Sequence, residues 1–266
     1  MFVFIKWGAK ERSEFQMDHH HEFRFFQGLK YTFKNKGFLL YTAMFFLYEY
    51  TLLVLATTVP LFAVKVLGVA EEDTLLTALL LGVMFIIAII AVFIWKKLDL
   101  LFGSKKAYAI SIIAYLLASI PLIFVSNFLS GLITVIFMGF GFGGMLYFVY
   151  LIIADIIDED EIKTGVRREG TFFGITNFFM RLSMILSIIT VGLVFTGAGW
   201  EEYTAIAGET ETIIGLKLLV FLFPAIALSL SLVCLYFYPF SKSRVKEIKV
   251  KLNELHKEKK ERAKTT

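Results

Sequence analysis

The sequence predicts an all-α membrane protein with six spans. Hydrophobic residues make up 58% of the chain and its mean hydropathy is +0.73, whereas soluble domains carry roughly 45–50% apolar residues. Six apolar runs long enough to cross a bilayer, about 20 residues each, follow one another along the chain. Apart from Lys65, Arg181 and Lys217, every Lys and Arg falls before the first run, after the second, after the fourth or after the sixth. One cysteine, Cys234, sits inside an apolar run, which leaves no disulfide framework and no cysteine metal site.

The first run, 37–66, would be about 45 Å long as a helix. That exceeds the hydrocarbon thickness, so tilt or an overhanging end is expected, with a kink at Pro60. The second and third runs, 75–95 and 107–125, flank a basic connection that holds Lys96, Lys97, Lys105 and Lys106. The fourth, 129–153, contains GFGFGG, in which Gly139, Gly141 and Gly144 formally fit a G-x-G-x-x-G pattern. A dinucleotide site needs a strand before that pattern and an amphipathic helix after it. In mid-span, Gly139, Gly141, Gly143 and Gly144 read instead as small residues for close helix packing. The fifth and sixth runs, 171–196 and 212–238, complete the set. The segment after them is basic, with Val245, Ile248, Leu252 and Leu255 on one helical face. It is expected either to lie on anionic lipid or to be a solvated helix.

The basic residues also set an orientation. Lys and Arg mark cytoplasmic loops, so both termini are expected in the cytoplasm, and the even number of spans agrees. His19, His20 and His21 fall in the first cytoplasmic segment. They are adjacent and do not converge on one metal as an i, i+4 pair does, so they read as part of a solvated loop.

Two features stand out as functional candidates. The first is the polar island 155–170, DIIDEDEIKTGVRREG, read as a loop at the membrane face because isolated charges are costly in hydrocarbon. Asp155 and Asp158 are expected to face Arg167 or Arg168 across a turn at Gly165. With Asp160, Glu161, Lys163 and Glu169 they form a candidate gate. The second is a pair of charges inside spans, Glu49 and Arg181. Counted from the same face they lie at matching depths of about 18 and 15 Å. Ionisable residues inside a membrane usually mark a pathway or a pair, so Glu49 and Arg181 are expected to pair or to share one aqueous cavity. Asn177, one turn before Arg181, joins them as a pathway candidate.

The segment ADIIDEDEIKTGVRREGTFFGITNFFMRL resembles the loop between the tenth and eleventh helices of the glycoside–pentoside–hexuronide:cation symporters, the melibiose carrier-like group of the major facilitator superfamily. Further similarities follow in chain order: KERSEFQ and LKYTFKNKGFLLY, VPLFAVKVLG, GFGFGG and GLKLLVFLFPAIALSLSLVCLYFYPF. The resemblance implies a six-helix half, helices seven to twelve, of a twelve-helix carrier. Residues 1–36 would be the end of helix six and the central cytoplasmic loop, 37–238 the bundle, and 239–266 a basic cytoplasmic tail. It implies cation-coupled uptake of a sugar or glycoside across the cell membrane, with no catalysed reaction, no cofactor and no nucleic acid. The sodium or proton site belongs to the first half in that family, so the implied partner is a missing N-terminal half or a second copy. Arg181 stands where the family usually has lysine. The rival expectations are a six-helix membrane remnant or interaction protein that does not transport, and a related carrier of lipid or another amphiphile.

Overall fold

The computed structural model describes residues 33–197 and 209–265 of the chain. Most of the expected first segment, including His19, His20 and His21, lies outside the described residues. Among the described residues there is no strand, and six helices are long and apolar enough to cross a membrane.

The helices begin and end where local chemistry permits. Helix α1, Lys36–Lys65, starts at Asn35, whose side chain accepts a hydrogen bond from the amide of Phe38 at 3.2 Å. This satisfies one of the donors that a helix N-terminus leaves unpaired. Helix α2, Thr74–Phe102, runs on past the apolar stretch through Lys96 and Lys97 to Gly103. Helix α3, Ser104–Ser119, tightens into a 3₁₀ turn at Ile120–Ile123, where Pro121 removes a donor. Helix α4, Phe128–Thr164, is capped by Asn127. Helix α5 covers Glu169–Gly197. The last span is α6, Glu209–Lys217, a π turn at Leu218–Leu222 and α7, Phe223–Phe237. Pro224 sits just after that turn, where its missing N–H would interrupt a regular α ladder. Helix α8, Lys242–Thr265, forms the tail.

The six spans pack in an exchanged pattern. Helix α4 packs against α2 and α3, while α1 packs against α5 and α7. The first helix of each three-helix set therefore lies on the second and third helices of the other set. Such exchange is natural for two three-helix repeats that interlock, and it makes the six spans one body. Glycines permit the closest contacts. A Cβ on Gly141 would stand 2.5 Å from the amide nitrogen of Tyr115 on α3. On Gly139 it would meet the carbonyl of Met84 at 2.8 Å, and on Gly143 it would strike the backbone of Ala88, both on α2. On Gly144 it would strike Ser111 and the Trp95 ring. Trp95 is fully buried here and donates its indole N–H to the carbonyl of Phe140 at 2.7 Å. Against α1, the packed face of α5 is small and polar: Thr176, Ser183, Ser187 and Thr190 are buried, each hydroxyl bonded back to its own helix. Tyr50 of α1 donates across this interface to Thr190 at 3.1 Å.

Two expectations are corrected. The polar island is not a loop from 155 to 170. Helix α4 continues through ten of its residues to Thr164, and only the stretch from Gly165 to Arg168 connects it to α5. Glu and Lys are good helix formers, and the Glu159–Lys163 bridge, one turn apart, spans 2.7 Å. The turn comes at Gly165, whose φ of 74° is left-handed and whose N–H bonds the carbonyl of Glu161. The tail, for its part, does not lay its apolar face on lipid and is not a free solvated helix. Ile248 and Leu252 are buried, and α8 packs against α4.

The packing contrast between glycines is directly testable. Gly143→Ala puts a methyl group against the Ala88 backbone and is expected to cost about 1–3 kcal/mol. Gly174→Ala enters open space on α5 and is expected to be neutral or to stabilise by up to ~1 kcal/mol. Heating each variant in detergent and measuring the fraction that stays monodisperse checks the pair.

Candidate gate and pathway

The end of α4 gathers five carboxylates: Asp155, Asp158, Glu159, Asp160 and Glu161. The C-terminus of a helix carries partial negative charge, so acids are disfavoured there. Basic groups from two directions offset them. From the connecting turn, Arg167 reaches Asp158 at 2.9 Å, Glu161 at 2.9 Å and Glu169 at 2.5 Å. Arg168 holds both oxygens of Asp160, at 2.6 and 2.9 Å, a bidentate pair with both side chains buried. From α8, Arg244 reaches Glu159 at 2.9 Å, Lys249 stands 3.8 Å from Asp155, and His256 and Lys259 meet Glu161 at 3.0 and 3.1 Å. Glu161 is fully buried at the centre, shared among Arg167, His256 and Lys259. Partial burial alone would lower the pKa of Arg167. The hydrogen bonds to Glu169, Glu161 and Asp158 outweigh it and hold that pKa above the ordinary arginine value.

The expected cross-turn contacts form for Asp158 and not for Asp155. Asp155 lies three residues earlier, about 4.5 Å deeper along the helix, beyond the turn arginines, and its cation comes from the tail. Lys163 bridges back to Glu159 within α4. The tail's Arg244, Lys249, His256 and Lys259 were not among the sequence candidates. Their signal was charge complementarity: a basic tail and an acidic helix end on the same side of the bundle.

The two intramembrane charges are on neighbouring helices but are not joined. Glu49 is buried on α1, next to Tyr48, whose ring stacks on Phe142 of α4. Arg181 and Asn177 are exposed on α5. Among the described residues, Glu49 and Arg181 share no hydrogen bond or ion pair. Helical phase is the reason. At 100° per residue, Arg181 lies about 160° round the helix from Ser183, which faces α1. The pairing expectation is therefore corrected, and Arg181 lies on a stripe with Gly174, Asn177, Met184 and Ile188 that the six spans leave uncovered. Among the described residues no cluster of His, Cys, Asp and Glu could hold a metal ion.

The chain matches the MFS/sugar transport protein family over residues 1–242. It belongs to that family. The MFS chain is 31% identical over 153 residues to the uncharacterized symporter YjmB of Bacillus subtilis, covering 57% of this chain and 31% of that one. It is 25% identical over 232 residues to an uncharacterized symporter of Synechocystis, sll1374, covering 84% of this chain and 42% of that one. It is also 30% identical over 106 residues to a putative sulfoquinovose importer of Escherichia coli, covering 40% of this chain and 22% of that one. The chain thus spans less than half the length of these relatives. The inward-open xylose transporter XylE from E. coli superposes with a TM-score of 0.58 at 17% identity, covering 86% of this chain and 54% of that one, and shares the fold. The protein is an integral membrane protein of a sugar-transporter family.

Breaking the buried pair of this MFS chain gives a stability prediction. Asp160→Ala removes the bidentate buried partner of Arg168 and is expected to destabilise by about 3–5 kcal/mol. Glu71→Ala removes only the exposed Lys65 bridge and should cost no more than about 1 kcal/mol. Denaturant titration of the two variants in detergent, followed by tryptophan fluorescence, measures the difference.

Proposed function

We propose that this chain is the second six-helix half, helices seven to twelve, of a sugar:cation symporter that works by alternating access in the cell membrane. The uncovered stripe on α5 carries the reading. Asn177 and Arg181 sit deep in a membrane-crossing helix, on a face that no helix of this bundle covers. A charged side chain facing hydrocarbon is costly, so this surface calls for a water-filled path bounded by another set of helices. That set is the absent N-terminal half or a second copy of this chain. Relatives named symporters, more than twice as long as the stretch they share with it, favour the first.

In this reading Glu49, Asn177 and Arg181 line the solute path near mid-membrane. The planar guanidinium of Arg181 suits bidentate hydrogen bonding to oxygen-bearing groups, so its role is to bind or orient cargo. The turn between α4 and α5 is the cytoplasmic gate. Its closed form is held by Asp158, Asp160 and Glu161 on Arg167 and Arg168, and opening requires exchange of these partners as the two halves rock. The excess of basic residues in the end segments supports placing both ends of the six-span bundle in the cytoplasm. The coupling cation, sodium or a proton, is held by the other half. No cofactor takes part and no reaction is catalysed.

Uptake tests the proposal. Cells producing the native polypeptide are given radiolabelled hexoses, glycosides, hexuronates and sulfoquinovose under imposed sodium or proton gradients. Gradient-driven accumulation of one of them is expected. Glu49→Gln and Arg181→Ala should each slow it about tenfold, equivalent to ~1.4 kcal/mol of lost interaction. Absence of gradient-driven uptake for the whole panel would favour the non-transporting membrane protein instead.

A further inference from the structure

The tail helix α8 keeps one flank free of acidic residues. With Ile248 and Leu252 buried against α4, one flank at 100° per residue carries Lys242, Lys246, Lys249, Lys257 and Lys260. The other carries Glu247, Glu254, Glu258 and Glu261, with Arg244, Lys251 and Arg262 bridging to Glu247 and Glu258 at its edge. The lysine flank runs about 27 Å along the helix. A solvated helix ending a protein needs no such division, and a helix held only by its acidic partners on α4 would need only the few cations that reach them.

The anchoring of α8 shows where the lysine flank lies. Lys242 donates to the carbonyls of Leu100 and Leu101 at 2.6 and 3.0 Å, closing the last turn of α2. Reciprocally, Lys105, just past α2, donates to the carbonyls of Tyr236 and Tyr238 at 2.9 and 2.6 Å, at the end of α7. The basic flank therefore starts against the end of α2. That helix has mean hydropathy 3.0 in its best window. It exposes one unbroken stripe of Ile86, Ile89, Ile90, Phe93 and Ile94. Lys96 and Lys97 follow on the same face, and then Leu100 and Leu101, both about two-thirds exposed. An all-apolar stripe that ends in two lysines is a lipid-facing surface entering the headgroup layer.

We infer that the lysine flank of α8 and the Lys96–Lys97 corner of α2 form one binding surface for anionic phospholipid headgroups. The charges are complementary, and the adjoining apolar stripe of α2 places the headgroups there. An acidic protein could meet lysines of this kind but would not account for Leu100 and Leu101 standing exposed among them. The apolar face of α8 docks the helix on the bundle, Lys242 and Lys249 are held by α2 and Asp155, and Lys246 and Lys257 make the lipid contact. The inference depends on the membrane location of the chain and is independent of what it transports.

Lipid selectivity tests it. The full chain is reconstituted in phosphatidylcholine bilayers, and the motionally restricted fraction of spin-labelled phosphatidylglycerol is compared with that of spin-labelled phosphatidylcholine. Selectivity for phosphatidylglycerol is expected and should fall as salt is raised to 1 M. Lys246→Glu combined with Lys257→Glu should lower it about fivefold or more. The equally charged pair Lys65→Glu with Lys251→Glu, off this surface, should leave it near the parent value. Helix content by circular dichroism shows that all three proteins are folded. Equal selectivity in the first variant and the parent would overturn the inference, and so would equal losses in the two variants.

Discussion

Five carboxylates at the end of α4 occupy the pole of the helix where negative charge is least favourable, and their neutralisation organises the charged end of the molecule. Any one of them left alone and buried would cost several kcal/mol. The chain resolves the problem from both sides in sequence. The turn that follows brings back Arg167 and Arg168, and the tail returns Arg244, Lys249, His256 and Lys259 from more than 80 residues away. The geometry of the turn, the docking of the tail and the length of α4 beyond its apolar run all follow from this requirement. Asp160 and Arg168 form the best-shielded element, because both side chains are buried and the bond is bidentate. Arg167 is the exchangeable one, since it divides itself among Asp158, Glu161 and Glu169.

The apolar body beneath serves that end. Glycines on α4 bring it within backbone contact of α2 and α3, so the acidic end is carried on a rigid three-helix wedge. Small hydroxyl residues on α5 do the same against α1, with Tyr50 and Thr190 forming a polar pin between them. A shift of either interlocked set relative to an outside partner would be felt at the turn joining α4 to α5, because that turn connects a helix of one packing group to a helix of the other. In the proposed reading, a gate placed there would sense relative motion, whereas a gate inside one packing group would not.

Much of this was legible in the sequence, and the omissions have physical reasons. Six apolar runs and one-sided lysines suffice for the spans, because hydrophobic length and charge asymmetry are properties of segments. The packing glycines were visible as small residues in mid-run, though which helices they admit was not. The extension of α4 to Thr164 is not legible locally, because acids at a helix C-terminus look like a loop until their cations are placed, and several of those cations come from the far end of the chain. For the same reason sequence proximity points Asp155 to Arg167 or Arg168, whereas its cation is Lys249 of the tail. The Glu49–Arg181 pair matched in depth, but depth does not fix rotation about the helix axis, and rotation separates them. The apolar spacing of the tail marks one face, and Ile248 and Leu252 on it are buried. What that face packs on is a tertiary fact that its periodicity does not carry.

The central claim is that the basic tail is held on the acidic end of α4 by charge. Double electron–electron resonance tests it most directly, with spin labels at Tyr150→Cys on α4 and Asn253→Cys on α8 in a Cys234→Ala background. The account predicts one narrow distance distribution in the parent, broadening into a long-distance tail when Glu159 and Glu161 are both replaced by Gln. A broad distribution in the parent would contradict it, as would a narrow one that the double replacement leaves unchanged.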